Sequence, residues 1–163
     1  MPIRDAVEAD LKAILAITND AILTTTANWN IRPTTLEART TWFADRRAAG
    51  LPVLVAEEGG AVCGFASYGP FRAFDGYVAT VEHGLYVARE TQRRGHGAAL
   101  LGALIARAEA AGLHVMVAAI EARNEASLTL HERFGFARVG LMPEVGRKFD
   151  RWLDLVLMQR ILS

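Results

Sequence analysis

One stretch near the middle of the chain limits the fold more than any other. Residues 77–87 (Y-V-A-T-V-E-H-G-L-Y-V) have the β-branched and aromatic composition of a long strand. A glycine-containing turn at 92–97 (Q-R-R-G-H-G) follows, and then an apolar helix at 95–111 that Gly112 ends. Residues 113–120 are an almost continuous apolar run, which is typical of a strand covered on both faces. This order predicts an α+β, mixed α/β fold around one central sheet.

The remaining segments predict further strands for that sheet and helices for its faces. They comprise a short strand at 2–5, helices at about 8–23, 35–49 and 126–134, a hairpin of 54–56 with 62–68, and strands at about 136–142 and 152–160. Gly84 interrupts the long strand, which predicts either a bulge or a close approach to the backbone. The 163 residues contain no linker and suit one domain, residues 1–163.

The turn at 92–97 has the features of a phosphate-binding site. Backbone N–H groups at a helix N-terminus converge on an anion, and the helix dipole adds partial positive charge. Gly95 and Gly97 allow close approach of the main chain, and Arg93 and Arg94 can add charge-assisted hydrogen bonds. The turn lacks the Gly-Lys-Ser/Thr of a P-loop, and Leu100 stands where a Rossmann turn has its third glycine. A basic, glycine-rich helix start without a ligand is the alternative interpretation.

Composition excludes several classes of protein. The 18 basic residues balance the 18 acidic residues, whereas nucleic-acid-binding proteins usually carry a basic excess. No apolar stretch is long enough to span a bilayer, the N-terminus has no signal-peptide pattern, and the single cysteine fits a reducing compartment. We therefore expect a cytoplasmic protein with no nucleic-acid and no membrane partner. His83, His96 and His114 show no metal-ligand spacing and Cys63 has no neighbouring Cys or His, so we expect neither a metal nor a covalent nucleophile.

Two motifs carry a family resemblance. The pattern Q-x-x-G-x-G after a long strand resembles the pyrophosphate-binding motif of the GNAT superfamily of N-acetyltransferases, and residues 124–136 (N-E-A-S-L-T-L-H-E-R-F-G-F) are similar to its late helix and turn. The segments T-T-A-N-W-N, T-V-E-H-G-L-Y-V and G-R-K-F-D-R-W-L-D-L resemble the phosphinothricin/methionine sulfoximine acetyltransferases. The resemblance implies a GNAT fold, with a mostly antiparallel twisted sheet of about six or seven strands, helices on both faces and a splay at the cofactor site. It also implies a homodimer.

The resemblance further implies an acyltransferase that moves the acetyl group of acetyl-CoA to the α-amino group of a small amino acid or glutamate analogue, by direct attack. The backbone of three strand residues would pair with the pantetheine arm as an added strand. Asn124 would hydrogen-bond the same arm, although a helix N-cap is the alternative for it. The implied cofactor-binding residues are Leu85, Tyr86, Val87, Arg93, Arg94, Gly95, His96, Gly97, Ala98 and Asn124.

Two residues are predicted to move protons. An α-amino group titrates at about pH 8, so a base assists its attack. Strand alternation places Glu82 and Gly84 on one face, opposite His83, and the resemblance assigns Glu82 as the base. From the residues alone, a structural glutamate or one that holds the substrate ammonium is an equal alternative. The resemblance implies that His131, where many relatives have a tyrosine, protonates the departing thiolate; a packed structural histidine is the alternative.

The substrate site is predicted just before the long strand. Arg72 could grip a carboxylate through two hydrogen bonds. The resemblance places substrate contacts at Arg72, Ala73 and Phe74, together with Glu82, and adds Lys148 as a second cation, in its own subunit or across a dimer. Two other functions stay open at this point: acetylation of a protein N-terminus or a polyamine, and a non-catalytic acyl-CoA sensor.

Overall fold

Seven strands form one mixed sheet in the order β1-β2-β3-β4-β5-β7-β6 in the computed structural model, which describes residues 2–163. The strands are β1 Ile3–Asp5, β2 Val53–Glu58, β3 Ala61–Pro70, β4 Thr80–Val87, β5 Val115–Glu121, β6 Ala137–Lys148 and β7 Arg151–Ile161. The helices are α1 Leu11–Thr24, α2 Leu36–Ala48, α3 His96–Ala110 and α4 Glu125–Arg133. The β4–β5 pair is parallel and the other neighbouring pairs are antiparallel. The predicted mixed α/β fold with a mostly antiparallel sheet is confirmed.

Helices cover both faces of the sheet because the strands are apolar on both sides. Leu54 of β2 belongs to the cluster under α3 and α4, where Leu100 and Leu104 are fully buried. The neighbouring Val53 belongs to a second cluster, under α1 and α2, with Phe43. Each such side chain contributes about 1.5 to 3 kcal/mol when it is removed from water, so the two helical layers hold the sheet from both sides.

β4 and β5 separate part-way along their length. Thr80–Glu82 pair with Val115–Val117 in parallel register. Beyond these pairs, within the described residues 2–163, β4 is bonded only to β3 and β5 only to β7. Two strand edges with free main-chain groups therefore border a cleft that opens after Glu82. The predicted splay of the sheet is confirmed.

Several element boundaries differ from the prediction. Residues Asp75–Tyr77 form a 3-10 turn, and β4 begins only at Thr80. Gly84 pairs regularly with Ser67, so of the two alternatives predicted for it the bulge is wrong; the register shifts instead within the β2–β3 and β6–β7 pairs. β6 continues well past the predicted end at residue 142, because it pairs with β7 through register shifts around Pro143 that interrupt the usual strand pattern. No helix within residues 2–163 is both long and apolar enough to cross a bilayer.

Candidate active site

Alternation along β4 sorts its side chains between the two faces of the sheet. Val81, Leu85 and Val87 pack against the α3 cluster, whereas Tyr86 packs against the α1–α2 cluster and stacks on Phe65. The period of two puts Glu82 and Gly84 on the Tyr86 side. The predicted distribution of this strand is thereby confirmed, and Glu82 is the last β4 residue before the cleft opens.

Glu82 lies beside one of the predicted substrate residues. Its carboxylate is 37% exposed, and Oε2 lies 4.0 Å from Nη1 of Arg72. The Arg72 guanidinium also donates to the carbonyl of Phe71 and lies over that ring, 4.1 Å from the centroid. Two further predicted substrate residues, Ala73 and Phe74, are exposed in the loop, Phe74 by 77%. The structure therefore brings Arg72 to Glu82 but gives Ala73 and Phe74 no packed position.

The turn before α3 has an unusual backbone. Arg93 and Gly95 both have positive φ, 63° and 89°, and Gly95 is the N-cap of the 15-residue helix. Alternation of left-handed and right-handed residues turns successive N–H groups toward one side, which forms a concavity that suits an anion. Gly97 adjoins the end of β4, since a Cβ placed there would lie 3.8 Å from side-chain atoms of Leu85 and Val87. We call residues 93–98 the anion cradle; it borders the cleft.

Arginine side chains at the cradle are exposed. Arg94 lies 3.4 Å from Oε2 of Glu58 and also donates to the carbonyl of Glu90. Because this ion pair is exposed, it holds the side chain only weakly. Both Arg93 and Arg94 therefore remain available to a ligand at the cradle.

The side chain of His96 points away from the cradle into the protein. It is 2% exposed, with Nε2 3.0 Å from Oε2 of Glu58 and Nδ1 3.4 Å from Sγ of Cys63. No sequence motif indicates this Cys–His contact, because 33 residues separate the two. Sγ is nearly equidistant from both ring nitrogens, 3.4 and 3.6 Å, so it packs against the ring instead of meeting the lone pair of one nitrogen. The thiol donates to the carbonyl of Ala56, and burial raises its pKa. Only the backbone of His96 is therefore free to bind a ligand.

His131 forms a buried pair with His83. Its Nδ1 lies 2.7 Å from the carbonyl of Ser127, which only accepts, so Nδ1 carries a proton. Its Nε2 lies 3.0 Å from Nε2 of His83, and the rings are stacked. In the neutral pair, His83 therefore donates to His131, which leaves Nδ1 of His83 buried without a partner. Burial lowers the pKa of both imidazoles, that of His83 to about 3, where the charge of His131 adds a smaller effect.

This pair predicts a pH dependence of stability. In the unfolded chain both imidazoles titrate at about pH 6.5. Below that pH the imidazoles become protonated in the unfolded chain but stay neutral in the native pair. The free energy of unfolding therefore falls as the pH drops from about 6.5 toward 3. Between about pH 7 and pH 5, His83 should account for about 1 to 2 kcal/mol of this loss. Urea unfolding of His83→Asn at both pH values should show a correspondingly smaller loss. The exposed His114→Asn serves as control, and an unchanged loss in His83→Asn would contradict the assignment.

Asn124 has the alternative role that the sequence left open. It is the N-cap of α4, and its Oδ1 accepts from the backbone N–H of Ser127 at 3.2 Å. A cap of this kind stabilises a helix by about 1 kcal/mol. The amide nitrogen is not used by the cap, so contact with the cofactor arm stays a prediction.

Lys148 lies in the interior. It is 4% exposed, and Nζ donates to the carbonyls of Thr25 and Asn28 at 2.7 and 2.5 Å. Burial lowers its pKa. The structure thus shows an ammonium that fastens the loop after α1, and direct contact with a substrate stays a prediction.

Comparison with known proteins assigns the chain to a family. Residues 14–136 match the model of the Acetyltransferase (GNAT) family. The L-methionine sulfoximine/L-methionine sulfone acetyltransferase of Pseudomonas aeruginosa is 56% identical over 158 residues, which are 96% of this chain and 92% of that protein.

Two solved structures superpose almost completely. A ribosomal-protein-alanine N-acetyltransferase from Brucella melitensis has a TM-score of 0.98 at 49% identity, covering 99% of this chain and 100% of that one. The protein yncA of Salmonella typhimurium, solved with its cofactor acetyl-CoA, has a TM-score of 0.97 at 49% identity, covering 99% and 94%. The resemblance expected from the two sequence motifs is confirmed, and the chain belongs to the acetyltransferase (GNAT) family.

Proposed function

We propose that the chain is one N-acetyltransferase domain that acetylates the α-amino group of a small amino acid with acetyl-CoA. The observation that carries the proposal is the cleft between β4 and β5, which opens directly after Glu82 and is bordered by the anion cradle. The relatives support both the acetyl donor and the amino-acid acceptor. The Salmonella protein was solved with acetyl-CoA, and the Pseudomonas relative is an acetyltransferase of methionine sulfoximine and methionine sulfone.

The residues of the cleft fit a CoA thioester. The β4 edge at Leu85, Tyr86 and Val87 offers main-chain groups that can pair with the pantetheine amides. The anion cradle, residues 93–98, would bind the pyrophosphate through backbone N–H groups, with Arg93 and Arg94 adding charge. Acetyl-CoA, when bound, supplies an activated acetyl group at the mouth of the cleft.

Glu82 is proposed as the base. Its exposed carboxylate can take the proton of the substrate ammonium, directly or through a water molecule, so that the neutral amine attacks. Arg72 beside it would hold the substrate carboxylate. This pairing of a cation and a base suits a zwitterionic amino acid, whose two charged groups are close together.

His131 is the proposed donor of a proton to the departing thiolate, but its hydrogen bond with His83 restricts when it can donate. Its Nε2 accepts from His83, so it can donate only after this hydrogen bond breaks or after the pair gains a proton. Its lowered pKa also keeps it neutral near pH 7. The effect of removing it should therefore be smaller than that of removing Glu82.

The proposal is tested by following thiol release from acetyl-CoA in the presence of L-methionine sulfoximine, L-methionine sulfone or phosphinothricin. We expect turnover with at least one of them. In the same assay His131→Phe should be about tenfold slower, which is less than the roughly 10²- to 10⁴-fold of full general acid catalysis because His83 already occupies the Nε2 of His131. Absence of thiol release with these and with a panel of amino acids would overturn the substrate class, and tight CoA binding without turnover would indicate a sensor.

The likeness to the Brucella enzyme favours one second candidate, acetylation of a protein N-terminus. A peptide that begins with alanine would then release thiol faster than any free amino acid. The cation at Arg72 argues against this candidate, because a peptide has an amide in place of the free carboxylate next to its amine.

We further propose that the enzyme is a cytoplasmic homodimer. β6 is an edge strand and exposes several large apolar side chains, among them Val139, Leu141 and Val145. Such a surface is unusual on a monomer and suits a second copy of the chain. Sedimentation should give the dimer mass, and Leu141→Glu should shift it toward the monomer.

A further inference from the structure

Two arginines of α2 line a cavity without an acidic partner. Arg39 and Arg46 are seven residues apart, about two helical turns, so they share one helix face. The cavity has a volume of about 200 Å³, and Trp42 lies between the two arginines along the helix. The guanidinium carbons lie 4.5 and 5.6 Å from the Trp42 ring centroid. Among the described residues 2–163, neither arginine forms an ion pair with a carboxylate.

Within residues 2–163, no carboxylate therefore compensates the charge of the two arginines at the cavity. Burial lowers the pKa of both guanidinium groups, and the charge of Arg39 lowers that of Arg46 further. Nε of Arg39 is buried and has no hydrogen-bond partner. Cations that are removed from water are normally paired, so two half-buried cations beside one polar cavity indicate a position for an incoming hydrogen-bond acceptor.

The guanidinium of Arg46 packs against the backbone of β3 at Gly69. Nη1 of Arg46 donates to the carbonyl of Tyr68, next to Gly69. A Cβ on Gly69 would lie 2.5 Å from Nη1, so any other residue at this position would require the Arg46 guanidinium to shift. One hydrogen bond uses one of five N–H groups, and the others remain for a ligand.

The cavity also lies on the face that carries the proposed base. Gly84 and Tyr86 form part of its wall, and both are on the same side of β4 as Glu82. Since a strand rises about 3.3 Å per residue, Gly84 lies about 7 Å beyond Glu82. A short amino acid spans this distance from its amine to its far end. Another cavity, of about 610 Å³ between β1, α2 and α3, contains none of the predicted site residues.

We propose that Arg39 and Arg46 bind an acceptor-only oxygen group of the amino-acid substrate and so determine its specificity. The inference rests on the proposed function. The oxygens could belong to the sulfonyl or phosphinyl group of the side chain, with Arg72 on the α-carboxylate, or to the α-carboxylate itself, which Arg72 would then not hold. Both kinds of group accept several hydrogen bonds and donate none. Substrates with a cationic side chain would be rejected by the two arginines.

The test compares Arg39→Met and Arg46→Met with the matched control Arg47→Met, an exposed arginine of the same helix. Each protein is assayed by thiol release with L-methionine sulfone, with L-methionine, which lacks the side-chain oxygens, and with the carboxamide of the sulfone. If the bound oxygens belong to the substrate side chain, the wild-type preference for the sulfone over methionine should fall at least tenfold in Arg39→Met and Arg46→Met. If the bound oxygens belong to the α-carboxylate, the preference for L-methionine sulfone over its carboxamide should fall instead. The KM for acetyl-CoA should change by less than about twofold.

Stability separates a binding role from a structural one. Removing a half-buried charge that has no carboxylate partner should leave the melting temperature of Arg39→Met unchanged or higher, because no ion pair is broken. Gly84→Val fills the cavity from the sheet and should produce the same loss of preference. Equal loss of rate with all three substrates, or unchanged preferences in all variants, would overturn the inference. Absence of turnover by the wild type would instead count against the proposed function.

Discussion

Replacement of Glu82 by glutamine is expected to lower kcat/KM for the amino acid by about 10² to 10⁴. Glutamine keeps the size and the hydrogen-bonding oxygen of the side chain but cannot take the proton of the ammonium. The carboxylate is more than one-third exposed and its contact with Arg72 is long, 4.0 Å, so the free energy of unfolding should change by less than about 0.5 kcal/mol. Steady-state thiol release at saturating acetyl-CoA measures the effect.

A pH profile gives this prediction a second signature. At a pH well above the pKa of the substrate's own α-amino group, most of the amine has already lost its proton, so the rate of Glu82→Gln should rise with pH toward that of the wild type. Glu90→Gln is the matched control, because Glu90 is an exposed glutamate shortly after the same strand. A Glu82→Gln enzyme with wild-type kcat/KM at neutral pH would show that Glu82 only positions the substrate.

The arrangement of Glu82 was predictable because strand geometry is local. A period of two fixes which side chains share a face, and the observed clusters place Leu85 and Tyr86 on opposite sides as the alternation requires. The cleft beside this strand has no such local signal. Its position depends on where β4 and β5 stop pairing, and only the family resemblance pointed to it.

Contacts between distant segments were missed for the same reason. His83 and His131 are 48 residues apart, and Cys63 and His96 are 33 apart, so no motif spacing connects them. The arginine cavity, in contrast, has a local signal in the sequence of α2. The helix pattern of α2 has few apolar residues, and Phe43 is the one that the structure buries among residues 36–48. A helix with so narrow an apolar face, next to a stripe of Arg and Trp, indicates a polar lining.

Replacement of Gly95 by alanine is expected to raise the KM for acetyl-CoA by about tenfold or more. The hydrogen bonds from the helix N-terminus to the phosphates are charge-assisted, and their loss weakens binding strongly. Gly95 has φ of 89°, a conformation that costs a residue with a Cβ about 1 to 2 kcal/mol. Alanine should therefore relax toward negative φ, which turns the N–H groups of the anion cradle away from their common point. The KM for acetyl-CoA and the Kd for CoA measure the result, and kcat should change less than either.

Strain alone must be separated from this loss of binding, and the other end of α3 provides the control. Gly112 follows the helix with φ of 71°, and nothing lies within 4 Å of a Cβ placed on it. Gly112→Ala should therefore cost a similar free energy of unfolding, about 1 kcal/mol, without reaching the cradle. Equal increases of KM in the two variants would show that the backbone of residue 95 does not hold the phosphates. If KM rises only in Gly95→Ala while both proteins lose similar stability, the left-handed turn is needed for binding and not merely for folding.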